Sequence, residues 1–85
     1  MIVLDIYISD DCWSCEESVR IVNDVAPFFP DITIKLLNLQ DNVAPEEVFA
    51  VPTYVLNGKV IFLGNPTRKQ LIEKLTAVQE SISIA

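Results

Sequence analysis

The sequence predicts one α/β domain: a four-stranded mixed sheet with helices packed on both faces, in the order β-α-β-α-β-β-α. A continuous apolar stretch at residues 2–8 is typical of a strand that is covered on both sides. A helical repeat follows it, and a second β-branched stretch at 32–39 then implies a right-handed crossover to a parallel neighbour. Between two further short apolar stretches, Asn57-Gly58 predicts a hairpin.

The first helix is predicted to begin at Cys12 and to end before Pro27, because proline removes a helical hydrogen bond and clashes with the preceding turn. Residues at helical spacing form its predicted inward face: Cys15, Val19, Val22 and Ala26. After the second strand, residues 43–49 form a short helix at most, with Pro45 in the first turn, where proline is tolerated.

The second half of the chain is predicted to form two antiparallel strands and a helix. The strands cover residues 54–56 and 59–63. Thr67 is a suitable N-cap for a helix that runs to about Glu80, with Leu71, Ile72 and Leu75 facing inward. We therefore expect a domain at 1–80 and a short, loose tail at 81–85.

Composition and charge exclude several classes of function. The 85-residue chain has a net charge of −6 and only six Lys and Arg residues, which argues against binding to nucleic acid or to anionic lipid. No apolar stretch is long enough to span a bilayer. The first residues are apolar, but Asp5 interrupts them and no positive residue precedes them, so we expect no signal peptide and a cytoplasmic location.

The residues that carry chemistry are Cys12 and Cys15, in the motif Cys-Trp-Ser-Cys. A sulfur at a helix N-terminus lies near unpaired backbone N–H groups and the positive end of the dipole, which favour the nucleophilic thiolate. A second sulfur one turn later can displace a mixed disulfide. We predict that Cys12 is the attacking thiol and that Cys15 is the resolving, more buried one.

Other interpretations of the cysteine pair remain open. Besides thiol–disulfide exchange, the pair could be structural, could act as a redox-sensing switch without turnover, or could form half of an iron–sulfur site that two chains share. A mononuclear zinc site needs four ligands, and the chain has two cysteines and no histidine, so we expect no metal within one chain.

Several segments resemble the thioredoxin superfamily over nearly the whole chain. YISDDCWSC at 7–15 is similar to the redox loop of short glutaredoxin-like proteins. KLLNLQDN at 35–42, VPTYVLNGKV at 51–60, and Gly64 followed by Gln70-Leu71 resemble thioredoxin. The resemblance implies a minimal thioredoxin-like fold and a protein-disulfide reductase, with no cofactor beyond the Cys12–Cys15 disulfide.

The same resemblance implies the partners. They are protein disulfides as substrates and a thioredoxin-reductase-type electron donor, and we expect a monomer. The chain departs from thioredoxin in having Trp13-Ser14 where thioredoxins have Gly-Pro. It also lacks the paired glycines with which glutaredoxins hold glutathione, since Asn65 follows Gly64, and this disfavours glutathione as the electron donor.

Substrate binding is assigned to Trp13 and to the segment Val51, Pro52 and Thr53. From the residues alone, Pro52 is a trans proline at a strand start. The resemblance implies instead that Pro52 is cis, lies beside the dithiol and leaves the Val51 backbone free to pair with an extended substrate. Trp13 either is exposed as a docking contact or folds against the sheet edge.

Asp5 is the one charged residue in the first strand. Superfamily members carry a buried acid six residues before the first cysteine, which exchanges a proton with the second. Asp5 lies seven residues before Cys12, and a shift of one residue in a strand reverses the side chain's face. We therefore favour a rim or solvent-facing position for Asp5 over a proton relay to Cys15.

Overall fold

The computed structural model describes residues 2–10, 12–46, 48 and 50–84, with side chains described as far as residue 80. The elements follow one another as β1 Ile2–Ile8, α1 Trp13–Val25, a single 3-10 turn Ala26–Phe28, β2 Ile32–Asn38, β3 Thr53–Leu56, β4 Lys59–Leu63 and α2 Arg68–Ile84.

The four strands form one mixed sheet in the order β2-β1-β3-β4. β1 pairs in parallel with β2 and antiparallel with β3, and β3 pairs antiparallel with β4. The hairpin turn has positive φ at both Asn57 (48°) and Gly58 (84°), as a type I′ turn requires. The predicted strands, the parallel crossover and the hairpin are confirmed.

The core lies on one face of the sheet. Alternate β1 residues point into it, and both helices add side chains to the same cluster: Ile2, Leu4, Ile6, Ile21, Val22, Val25, Leu71 and Leu75. α1 and α2 also contact each other directly. The predicted α/β fold with a four-stranded mixed sheet is confirmed. Both helices cover the same face, and the described residues place no helix on the second face, where one was also expected.

The difference arises in the segment 43–49, where a short helix is predicted and the described residues form none. Glu47 and Phe49 lie outside the described residues, and the rest of the segment contains a turn closed by Val48 N–H and the Pro45 carbonyl at 3.0 Å. Val43 is 99% exposed, so it does not anchor this segment on the sheet. The second face of the sheet thus receives no helix from the described part of this connection.

The inward face of α1 differs from the predicted one. Its buried residues are Cys15, Ser18, Ile21, Val22 and Val25, whereas Val19 and Ala26 are only partly buried. Ser18, which is not part of the predicted face, is 0% exposed. A buried hydroxyl needs a hydrogen-bond partner, and its partner belongs to the candidate site.

α2 begins with a capping box. Thr67 Oγ1 accepts the Gln70 N–H at 3.0 Å, and Gln70 Oε1 accepts the Thr67 N–H at 2.9 Å. The predicted N-cap and the inward positions Leu71 and Leu75 are confirmed. The helix continues to Ile84, so residues 81–84, predicted as a loose tail, are helical. Among the described residues, neither helix has the length and apolar character needed to cross a membrane.

Candidate functional site

Cys12 and Cys15 lie where β1 delivers the chain to the start of α1. Cys12 is the N-cap residue, with extended backbone angles (φ −125°, ψ 107°), and Cys15 is in the first turn. The two residues form a disulfide with a Cα–Cα distance of 5.2 Å. Cys15 is 3% exposed, while Cys12 is partly exposed. The predicted difference in burial between the two sulfurs is confirmed.

The Cys12 sulfur takes the role of a capping oxygen. Its Sγ accepts a hydrogen bond from the Cys15 N–H at 3.1 Å, and the same N–H lies 3.2 Å from the Cys12 carbonyl. A backbone donor at a helix N-terminus stabilises negative charge on the atom that it faces. The geometry therefore suits a thiolate at Cys12 when the disulfide is open.

A groove of about 500 Å³ opens beside Cys12 and is lined by Asp10, Cys12, Trp13 and Glu16. Trp13 is 85% exposed, so the alternative in which it folds against the sheet edge is wrong. Asn38, the last residue of β2, donates its Nδ2–H to the Asp10 carboxylate at 2.6 Å. Cys12 thus faces solvent between an aromatic ring and two carboxylates.

The segment at Val51, Pro52 and Thr53 lies at the same end of the sheet as the disulfide, because Thr53 pairs with Tyr7 near the end of β1. The Val51–Pro52 peptide bond is cis, as the resemblance implies. Among the described residues, no backbone hydrogen bond involves Val51. The Thr53 hydroxyl is buried and donates to the Ala50 carbonyl at 2.6 Å, so it is satisfied within the chain.

Asn65 joins the site through contacts that the sequence did not reveal. Its Nδ2 donates to the carbonyl of Ser14, between the two cysteines, at 2.6 Å. Its Oδ1 accepts from the hydroxyl of Ser18 at 2.6 Å and from that of Tyr54 at 2.9 Å. Ser18 and Tyr54 are both 0% exposed. The only signal in the sequence was a polar residue, Ser18, at an inward helical position.

Asp5 lies neither at the sheet rim nor fully exposed to solvent, the two positions that its spacing from Cys12 favours. β1 is a central strand, and Asp5 is partly buried on the face opposite the helices, where its partner in β3 is the buried Val55. Its Oδ1 is buried without a hydrogen-bond partner among the described residues. Burial raises the pKa of the neighbouring Tyr7, and the charge of Asp5 raises it further. The role of Asp5 as a proton relay stays a prediction.

The described residues contain no group of three or more His, Cys, Asp or Glu side chains that could hold a metal ion. Cys12 and Cys15 are joined to each other. Asp11, which precedes Cys12, lies outside the described residues. What the site offers chemically is therefore a disulfide with one accessible and one buried sulfur.

A β-α-β unit with an accessible disulfide at the helix start, and a cis proline at the same sheet end, defines a thiol–disulfide oxidoreductase. Comparison with known proteins gives the family. Over 78 residues the chain is 33% identical to a thioredoxin of Methanocaldococcus jannaschii, covering 85% of this chain and 89% of the relative. The chain belongs to the thioredoxin family.

Two further comparisons extend this result. The fold matches the crystal structure of thioredoxin from Trypanosoma brucei brucei with a TM-score of 0.78 at 20% identity, covering 94% of this chain and 76% of that one. The chain is also 32% identical over 72 residues to an alkyl hydroperoxide reductase protein of Xanthomonas campestris pv. phaseoli, but it spans only 14% of that protein. No family model matches the chain.

Proposed function

We propose that the chain reduces disulfides in protein substrates, with Cys12 as the attacking thiol and Cys15 as the resolving thiol. The observation that supports this order is the contrast between a partly exposed Cys12, at the helix N-cap, and a Cys15 that is 3% exposed. A substrate sulfur can reach Cys12 directly, whereas it can reach Cys15 only through Cys12.

The reaction proceeds in two exchanges. The Cys12 thiolate attacks one sulfur of the substrate disulfide, which breaks; a mixed disulfide forms, and the departing substrate sulfur takes up a proton. Cys15 then loses its proton and attacks the Cys12 sulfur, which releases the second substrate thiolate to be protonated. The substrate gains two electrons and two protons, and the chain is left with the Cys12–Cys15 disulfide.

The cycle needs a donor of two electrons and two protons to reopen that disulfide. We propose a protein reductase of the thioredoxin-reductase type rather than glutathione. Asn65, which follows Gly64, is engaged with Ser14, Ser18 and Tyr54 and leaves no paired-glycine site for glutathione. The match to a segment of an alkyl hydroperoxide reductase protein supports exchange with redox proteins.

The substrate segment is proposed to bind across Trp13 and the backbone of Val51. Trp13 is exposed beside the reactive sulfur, and exposed aromatic residues are frequent anchors at protein interfaces. An extended peptide that pairs with the Val51 backbone would lie beside Pro52, at the point where β3 begins.

A single-turnover experiment tests this function without knowledge of the natural reductase. The dithiol form is mixed in excess with a disulfide-containing protein such as insulin, and the new substrate thiols are counted. We expect two substrate thiols for each Cys12–Cys15 disulfide formed, and none with Cys12→Ser. Failure of the wild-type dithiol to reduce any protein disulfide would refute the proposal. A brown protein after purification without oxygen would instead support the iron–sulfur alternative.

A further inference from the structure

One peptide group connects Asn65 with the reactive sulfur. The peptide between Ser14 and Cys15 has its N–H 3.1 Å from Cys12 Sγ and its carbonyl oxygen 2.6 Å from Asn65 Nδ2. Asn65 therefore holds the opposite end of the amide that donates to Cys12. The sequence separation of 51 residues between Ser14 and Asn65 means that this contact exists only in the folded domain.

We propose that Asn65 is a positioning residue that fixes and polarises the Ser14–Cys15 peptide so that its N–H stabilises the Cys12 thiolate. This inference rests on the proposed function of Cys12 as the attacking thiol. It adds a residue on the loop between β4 and α2 to a site whose chemistry lies on α1.

The hydrogen-bond donors and acceptors fix the orientation of the Asn65 amide. The Ser14 carbonyl is only an acceptor, so the group facing it at 2.6 Å must be the NH₂ of Asn65. The Oδ1 is then left for the hydroxyls of Ser18 and Tyr54. Ser18 Oγ also lies 3.3 Å from the Ser14 carbonyl, but its one hydrogen serves the shorter contact with Asn65 at 2.6 Å.

These contacts form a chain of hydrogen bonds that ends on sulfur. Two buried hydroxyls donate to Asn65, Asn65 donates to the Ser14 carbonyl, and the N–H of the same peptide donates to Cys12. Hydrogen bonds in such a chain polarise one another, by about 10–30% per bond. Donation to the carbonyl makes the Cys15 N–H a stronger donor and restricts its direction.

The experiment measures the Cys12 thiolate in the reduced protein, from its ultraviolet absorbance and from its alkylation rate as a function of pH. In Asn65→Ala we expect the Cys12 pKa to rise by about half a unit, which leaves roughly threefold less thiolate at pH values below that pKa. Tyr54→Phe removes only one of the hydroxyls that donate to Asn65, so it should raise the Cys12 pKa by less than Asn65→Ala does. If Asn65→Ala does not fold, Tyr54→Phe decides the question alone.

Asn57→Ala is the matched control. Asn57 Oδ1 accepts the Val3 N–H at 2.8 Å, in the hairpin at the opposite end of the sheet from the disulfide. This variant also loses an asparagine hydrogen bond, and Cys12 should titrate in it as in the wild type. An unchanged titration in Asn65→Ala, or an equal shift in Asn57→Ala, would overturn the inference.

The same preparations separate this inference from the proposed function. If the wild-type dithiol does not reduce protein disulfides, the proposed function fails. If it reduces them while Asn65→Ala titrates like the wild type, only the role of Asn65 fails.

Discussion

Replacing Cys15 with serine should stop the proposed reaction halfway. The variant keeps the backbone N–H that faces Cys12 at 3.1 Å, so Cys12 still attacks a substrate disulfide. It lacks the sulfur that releases the substrate, and the mixed disulfide with Cys12 should therefore accumulate. A covalent protein–substrate adduct is the expected product.

The size of the effect follows from comparing an intramolecular thiol with an external one. In the disulfide form the Cα atoms of Cys12 and Cys15 are 5.2 Å apart, inside the range of about 4.4–6.8 Å that disulfides require, so the start of α1 accommodates the product of resolution. Well-oriented intramolecular groups reach effective concentrations of about 10⁵ M. Even if the effective concentration of the Cys15 thiol were only ~1 M, it would exceed that of an external thiol at ~1 mM by a thousandfold. The adduct should thus last at least about 10³ times longer in Cys15→Ser than in the wild type.

Mass spectrometry after acid quenching measures the adduct over time. Cys12→Ser is the matched control and should form no adduct, because the remaining sulfur is 3% exposed. Cys15→Ala repeats the test without a buried hydroxyl. If Cys12→Ser formed the adduct and Cys15→Ser did not, the two roles would be reversed. If neither variant formed it, dithiol exchange itself would be the wrong chemistry.

Three further predictions concern the N-cap of α2, the two tyrosines and Trp13. Thr67→Ala removes the acceptor of the Gln70 N–H and should lower the unfolding free energy by about 1 kcal/mol, seen as a melting temperature about 4–8 °C lower by calorimetry; an unchanged melting temperature would count against the capping role. Burial raises the pKa of Tyr54 and Tyr7, so folding favours their neutral forms: their contribution to stability is complete below the unfolded pKa of about 10 and is lost as pH rises through the folded values. Denaturant titrations from neutral to alkaline pH should show a smaller alkaline loss in Tyr54→Phe, and an identical loss would contradict this. Trp13→Ala should change stability by less than about 0.5 kcal/mol, because the ring is 85% exposed, but should slow reduction of a protein disulfide more than that of a small one; equal slowing would argue against docking.

Local patterns in the sequence were sufficient for much of the fold. The continuous apolar character of β1 and the hairpin signal at Asn57-Gly58 each depend on neighbouring residues, and the structure agrees with both. The cysteine pair is also a local signal, since its spacing and its place before a helical repeat predict which sulfur is accessible. The expected burial of Cys15 followed from helical periodicity alone.

The differences between prediction and structure have physical causes. Residues 81–84 are serines and isoleucines, which are weak helix formers, but without proline or glycine α2 extends through them, because each added residue gains a hydrogen bond. The spacing of Asp5 from Cys12 predicts a rim or solvent-facing position, whereas its partial burial depends on β3 pairing beside β1. The burial of Ser18 on α1 depends on its partner Asn65, which lies 47 residues later in the chain and gives no local signal.

The loop between β4 and α2 connects the two halves of the candidate site. Gly64, with φ 83°, donates its N–H to the Pro52 carbonyl at 2.8 Å, and the adjacent Asn65 donates to the Ser14 carbonyl at 2.6 Å. Two consecutive residues thus fix the segment proposed to bind substrate relative to the turn that carries the cysteines. Because a left-handed φ is strained for residues with a Cβ, a side chain at position 64 would disturb both contacts together. The position of the Val51–Thr53 segment relative to Cys12 is therefore held by two residues that belong to neither segment and carry no reactive group.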